Sequence, residues 1–132
     1  MNIGGQIFET SCEILTRDPY SILAACCRID SPIPRCEDGI TIFFDRDWWL
    51  FRHVLSYLRS NVLPRELETL RELYTESSFY RLESLRKAIE DMPVHEVLST
   101  DSNRAISDSK SLNLNEKTAA LMNSSGDSIK NY

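Results

Sequence analysis

The sequence predicts an α+β (mixed α/β) domain, a short sheet flanked by a cluster of helices, on three observations. A Gly4-Gly5 turn signal leads into a segment that alternates from Gln6 to Ser11. A β-branched and aromatic run, Ile40-Thr41-Ile42-Phe43-Phe44, follows Gly39. From Trp48 to Ile89 the apolar residues recur at helical spacing, interrupted at Asn61 and Pro64. Few strands and grouped helices point to a fold whose helices pack on a small sheet.

In the first strand Phe8 and Thr10 share one face, and Ile7 and Glu9 the other. Thr10 and Glu13 stand at capping-box spacing, in which each side chain satisfies the other residue's backbone N–H. A short helix is therefore expected through Ile14 and Leu15. Asp18 before Pro19 marks a second start, because aspartate caps and proline fits the first helical position; Tyr20 to Cys27 is the expected helix. Arg28 to Asp38 holds Pro32 and Pro34 and reads as a loop. The run at 40–44 is expected to be a buried strand. Trp48, Phe51, Val54, Leu55 and Leu58 then form the clearest helical stripe, with Asp45 or Asp47 as cap and Asn61 as its end. Pro64 restarts a helix carrying Leu67, Leu70, Leu73 and Tyr74 on one face, and Phe79, Leu82, Leu85 and Ile89 define the last. The expected core is Phe8, Phe44, Trp48, Phe51, Leu55, Leu58, Phe79 and Leu82.

Composition changes near Met92-Pro93. Both tryptophans, all five phenylalanines and four of five tyrosines precede that point; eight serines and five asparagines follow it. Such a segment buries too little apolar area to offset the entropy of ordering it. Residues 1–92 are thus expected to be the domain and 93–132 a mostly disordered tail. Two exceptions are expected within that tail: a weak helical patch from Asn115 to Met122, and an extra turn of the last helix through Val94, Val97 and Leu98.

The net charge of -5 and pI of about 5.0 argue against nucleic acid and against an anionic membrane surface, both of which attract basic patches. No apolar run approaches the roughly 18 residues of a membrane span. Met1 to Gly5 lacks the basic and apolar regions of a secretory signal, and Met-Asn rules out myristoylation. A cytoplasmic location is expected, with Cys12, Cys26, Cys27 and Cys36 as free thiols of core or surface.

Ordered short motifs carry a family likeness. Asn2-Ile3-Gly4-Gly5, Phe8, Thr10 and Ser11, then Leu15, Pro19, Ser21 and Leu23, then Phe43-Phe44-Asp45-Arg46-Asp47 lead the set. Phe51, Val54, Leu55, Tyr57, Leu58 and Arg59 continue it, followed by Leu63-Pro64, Leu70, Glu76, Phe79-Tyr80 and Leu82. Together they resemble the BTB/POZ domains of the potassium-channel-tetramerisation type over residues 2 to 90, and agreement in order gives the set its force. The resemblance implies a small sheet flanked by helices and homo-oligomeric rings of about four or five chains. Many relatives are stand-alone adaptors, several of which recruit a cullin ubiquitin ligase, and some are the cytoplasmic assembly domains of channels; a cullin adaptor is the first expectation for this chain, and the alternative is a detached channel assembly domain or a fragment of a longer BTB protein. The chain departs from the pattern in starting almost on N-x-G-G, which leaves a short first strand or a truncated product. Trp48-Trp49 follows the D-R-D element where proline or glycine is common, and the zinc-binding Cys/His pattern is missing.

By this likeness Asp45, Arg46, Asp47 and Arg59 are the expected oligomer interface, where charge sets register between neighbours; the alternative is a helix cap with a surface ion pair. Trp49, with His53 one turn on, is the expected partner contact, an exposed aromatic anchor; the alternative for Trp49 is a boundary residue. His53 with Cys26, Cys27 or Cys36 fits no compact zinc spacing. The arginines Arg59, Arg65, Arg71, Arg81 and Arg86 alternate with glutamates as a solvated face does. No phosphate loop, triad or metal signature is present, so no catalytic residue, cofactor or metal is expected, and the chain is read as an interaction module rather than an enzyme.

Overall fold

The computed structural model describes residues 1–98; the expectations for the tail beyond Leu98, its helical patch included, lie outside the described residues. Gly4 and Gly5, both at positive φ, turn the chain so that β1 (Asn2–Ile3) pairs antiparallel with β2 (Gln6–Ile7). The amino group of Met1 and the N–H of Phe8 exchange bonds with each other's carbonyls at 2.8 Å, adding one more rung. The first strand is thus short, and the glycines form the turn of a hairpin rather than a lead-in. Gly4 has no room for a side chain, since a Cβ there would collide with the Arg46 carbonyl oxygen, whereas Gly5 faces open space. Gly4→Ala is expected to destabilise by roughly 2 kcal/mol and Gly5→Ala by about 1 kcal/mol, both paying left-handed strain and only the first a backbone clash. Urea midpoints at unchanged slope check the difference.

Two single-turn helices follow, α1 (Cys12–Leu15) and α2 (Ile22–Ala25). Ser11, not Thr10, caps α1, and Ser21 caps α2. The capping-box expectation fails because the turn begins one residue later. Asp18, expected to cap the helix after it, is buried and reaches across the fold instead. Its carboxylate accepts from the Ser84 N–H at 3.1 Å and the Ser84 hydroxyl at 3.0 Å. The expectation of four free thiols fails for two of them: Cys12 and Cys27 are joined by a disulfide, their Cα atoms 5.6 Å apart, while Cys26 and Cys36 are free.

β3 (Phe43–Phe44) lies parallel to β1 and completes the order β2-β1-β3. It is not a buried strand over 40–44. Ile42 is buried and Phe44 partly so, Phe43 on the opposite face is half-exposed, and Ile40 lies in the exposed bend before the strand.

Asp47 caps α3 (Trp48–Ser60), accepting from the N–H groups of Trp49 and Leu50 at 2.8 and 3.2 Å, and Asn61 ends it in the left-handed region. Leu50, Phe51, Val54, Leu55 and Leu58 are its buried face. Arg17 closes the other end of this helix, donating to the carbonyls of Leu58 and Arg59 at 2.6 and 2.8 Å.

α4 (Leu67–Tyr80) starts after Glu66 and stops at Arg81, whose positive φ breaks the chain before α5 (Glu83–Glu90). Phe79 therefore belongs to α4 rather than to the last helix. Neither helix has a side-chain cap of its own. Asp18 supplies one for α5, and the chain supplies the other for α4. After a 3-10 turn at Val94–Glu96 it returns beside Arg65, so that Leu67 N–H donates to the Leu98 carbonyl at 3.0 Å and Leu98 N–H to that of Arg65 at 2.7 Å.

One core joins these parts: Ile3 from the sheet, Leu15 and Leu23 from the single turns, and Phe51, Leu55, Leu58, Leu70, Leu73, Tyr80, Leu82 and Leu85 from the longer helices. Phe8 and Phe44 pack on it while partly exposed. Trp48 and Phe79, expected inside, are 45% and 37% exposed. Trp48 is the first residue of α3, whose buried face begins only at Leu50. At the end of α4 the neighbouring Tyr80 takes the interior place from Phe79.

Candidate functional site

The segment from β3 into α3 carries the most distinctive surface. Phe43 is 48% exposed and Trp48 45%, and between them Asp45-Arg46-Asp47 turns the chain into the helix. The turn is held from beneath. Arg46 lays its guanidinium 4.2 Å over the Phe79 ring and grips Glu76 with two nitrogens, Nε–Oε2 at 3.2 Å and Nη2 on Oε1. Glu76 is only 6% exposed. The ion pair holds Arg46 above its ordinary range, mainly through the bond to Glu76. Phe79 is fixed on its other side by edge-on contacts with Phe44 and Tyr80, ring centres 6.2 and 4.9 Å apart. A rigid patch of two carboxylates, one guanidinium and three half-exposed aromatics results.

Of the four residues expected at an interface, Asp45, Arg46 and Asp47 are together and Arg59 is not. It lies at the far end of α3, about 18 Å along the axis, with Nη2 donating to the Glu9 carbonyl at 3.1 Å. Asp47 is committed to capping, Arg46 to Glu76, and Asp45 is exposed. Glu76 was not singled out for this role. A signal existed: it falls on the stripe of Leu73, Ser77 and Tyr80, where an acidic residue needs a partner.

Trp49 and His53 do meet, edge to face with ring centres 4.8 Å apart, and Arg52 lies 5.5 Å from the Trp49 ring. Burial, helped by the charge on Arg52, holds His53 below the ordinary imidazole range, so it is neutral near pH 7. Its Nε2 finds no hydrogen-bond partner among the described residues. Nor do three histidine, cysteine or carboxylate groups converge among them as a metal ion would need. No helix among the described residues is long and apolar enough to cross a membrane.

Comparison with known proteins gives one consistent result. The family profile described as BTB/POZ domain matches residues 1–90. The BTB/POZ domain-containing protein KCTD21 of human and mouse is 33% identical over 96 residues, covering 71% of this chain and 36% of that protein. The FH protein interacting protein FIP2 of Arabidopsis thaliana is 37% identical over 95 residues, 69% of this chain and 31% of its own length. The BTB/POZ domain-containing protein KCTD5 of cow and rat is 34% identical over 93 residues, 69% of this chain and 40% of its own. The chain therefore spans about a third of the length of the curated relatives it matches.

Proposed function

We propose that this chain, which belongs to the potassium-channel-tetramerisation-type BTB/POZ domain family, is a homo-oligomerisation module that forms a ring through the two ends of α3. The observation that carries the reading is the rigid patch at 43–48, where half-exposed aromatics surround a preformed charge cluster. A ring needs two different patches per chain, one for each neighbour. The acidic end of α3, with Asp45 beside the Asp47 cap, is one; the Arg59 end is the other, and their opposite charge sets the register. Holding Arg46 and Phe79 in place beforehand lowers the ordering cost of association. The ring has about four or five members, by likeness to the family.

The module acts in the cytoplasm as an adaptor, and half-exposed Trp49 with exposed Arg52, backed by the half-buried His53, is the face for a second protein, a cullin ubiquitin ligase. Light scattering on the purified chain is expected to give four or five times 15.2 kDa; a strict monomer at high concentration overturns the reading. Asp45→Arg should weaken assembly at least about tenfold, and adding Arg59→Glu should restore it. An unchanged mass in Asp45→Arg would move the interface elsewhere. Capture of a cullin that survives Asp45→Arg and is lost in Trp49→Ala tests the second face.

A further inference from the structure

We propose that the Cys12–Cys27 bridge is a reversible thiol–disulfide switch, set by small-molecule thiols, that clips α1 to α2. Three features carry it. The two cysteines are 15 residues apart, with Cα atoms 5.6 Å apart; Cys12 opens the single-turn helix α1 and Cys27 lies two residues past the end of the single-turn helix α2. Such turns are too short to hold themselves, so their order depends on what pins them. From inside they are pinned by Leu15 and Leu23, by Arg17 on the end of α3 and by Asp18 on α5. The bridge is the pin on the outside.

Its sulfurs also differ in access. Cys12 is exposed and Cys27 partly buried, so an incoming thiolate reaches the Cys12 sulfur first. The neighbouring Cys26 is buried, its Sγ donates to the Ile22 carbonyl at 3.2 Å, and burial pushes its thiol up; it stays protonated and out of the exchange.

Opening takes two steps. A glutathione thiolate attacks Cys12 Sγ, the bond to Cys27 Sγ breaks, and the Cys27 thiolate leaves and takes a proton from water. A second glutathione thiolate then attacks the glutathione sulfur of the mixed disulfide. Cys12 is released as a thiolate, which is protonated, and glutathione disulfide forms. Two electrons pass from two glutathiones to the protein. Closing is the reverse, with glutathione disulfide as the oxidant.

The test uses the full 132-residue chain equilibrated in glutathione buffers of graded reduced-to-oxidised ratio, quenched by acid and alkylation, and mapped by peptide mass. A Cys12–Cys27 peptide pair is expected that opens smoothly as the ratio rises and closes again when it falls, with Cys26 unlabelled in native protein. The closed form should melt roughly 10 °C or more above the open one, as closing a loop of this length implies. Cys12→Ser, an exposed change, should melt with the open form at every ratio. A bridge that forms at no ratio, one that stays closed in a large excess of reduced glutathione, a pairing through Cys26 or Cys36, or equal melting of the two forms would each overturn the switch.

Discussion

Phe51→Ala is expected to destabilise the domain by about 4 kcal/mol, a large share of what a chain of this size has to lose. Phe51 is fully buried at the point where sheet and helices meet. Its ring sits 5.1 Å from that of Phe8 and 5.6 Å from that of Tyr80. Truncation forfeits both the transfer of the ring from water and the contacts across the hole it leaves. The partners on either side bear on the size of the loss. Phe8 is only partly buried and comes from the end of a short hairpin, so it has some freedom to move inward. Tyr80 does not, being locked by Phe44 and Phe79 as well. Its buried hydroxyl has no partner among the described residues. These effects hold the loss near the middle of the range for such truncations. Urea denaturation followed by the fluorescence of Trp48 and Trp49 measures it. A loss under about 1 kcal/mol would mean that Phe51 is not at the centre of the core.

How much of this was legible beforehand depended on whether a feature is local. The helix α3 was, because its cap, its stripe and its terminator all lie within fifteen residues of one another: Asp47, then Phe51, Val54, Leu55 and Leu58, then Asn61. The strand β1 was not, since two residues carry no alternation and Asn2–Ile3 is a strand only because Ile7 and Phe43 flank it. The Asp18 cap failed for the same reason: α2 begins only at Ile22, and the Asp18 carboxylate serves Ser84, 66 residues on. The disulfide depends on how α1 and α2 pack, which spacing along the chain does not determine. In the candidate site the turn Asp45–Asp47 could be read as a cluster, but its separation from Arg59 follows from the length of α3. The placing of Phe79 on the surface turned on Arg81, a residue with no intrinsic preference for the left-handed region it occupies.

The Arg46–Glu76 pair separates stability from assembly. Arg46→Ala is expected to cost about 3 kcal/mol, because it strands the carboxylate of Glu76 in a position almost closed to water. The lower end of the range for broken buried pairs applies, since the Arg46 side chain is itself 31% exposed and its removal opens a path for water. The pair is not thereby a large net stabiliser: both charges were desolvated to make it. Replacing the two together by apolar residues of similar length, Arg46→Met with Glu76→Leu, should therefore recover most of the loss, to within about 1 kcal/mol of the natural protein. A double-mutant cycle in urea, with Arg46→Met and Glu76→Leu as its single mutants, would then give a coupling of roughly 2 kcal/mol if Arg46→Met costs what Arg46→Ala does, and more by whatever Glu76→Leu costs alone. If the double replacement folds as well as the natural chain yet assembles poorly, the guanidinium is needed at the surface for the neighbour and not underneath for the fold. Asp45→Arg completes the comparison, because Asp45 is exposed and its substitution should leave the urea midpoint of the unassembled chain where it was. A midpoint that falls in Asp45→Arg as far as in Arg46→Ala would show that the turn from β3 into α3 serves the fold first, and the ring would need another surface.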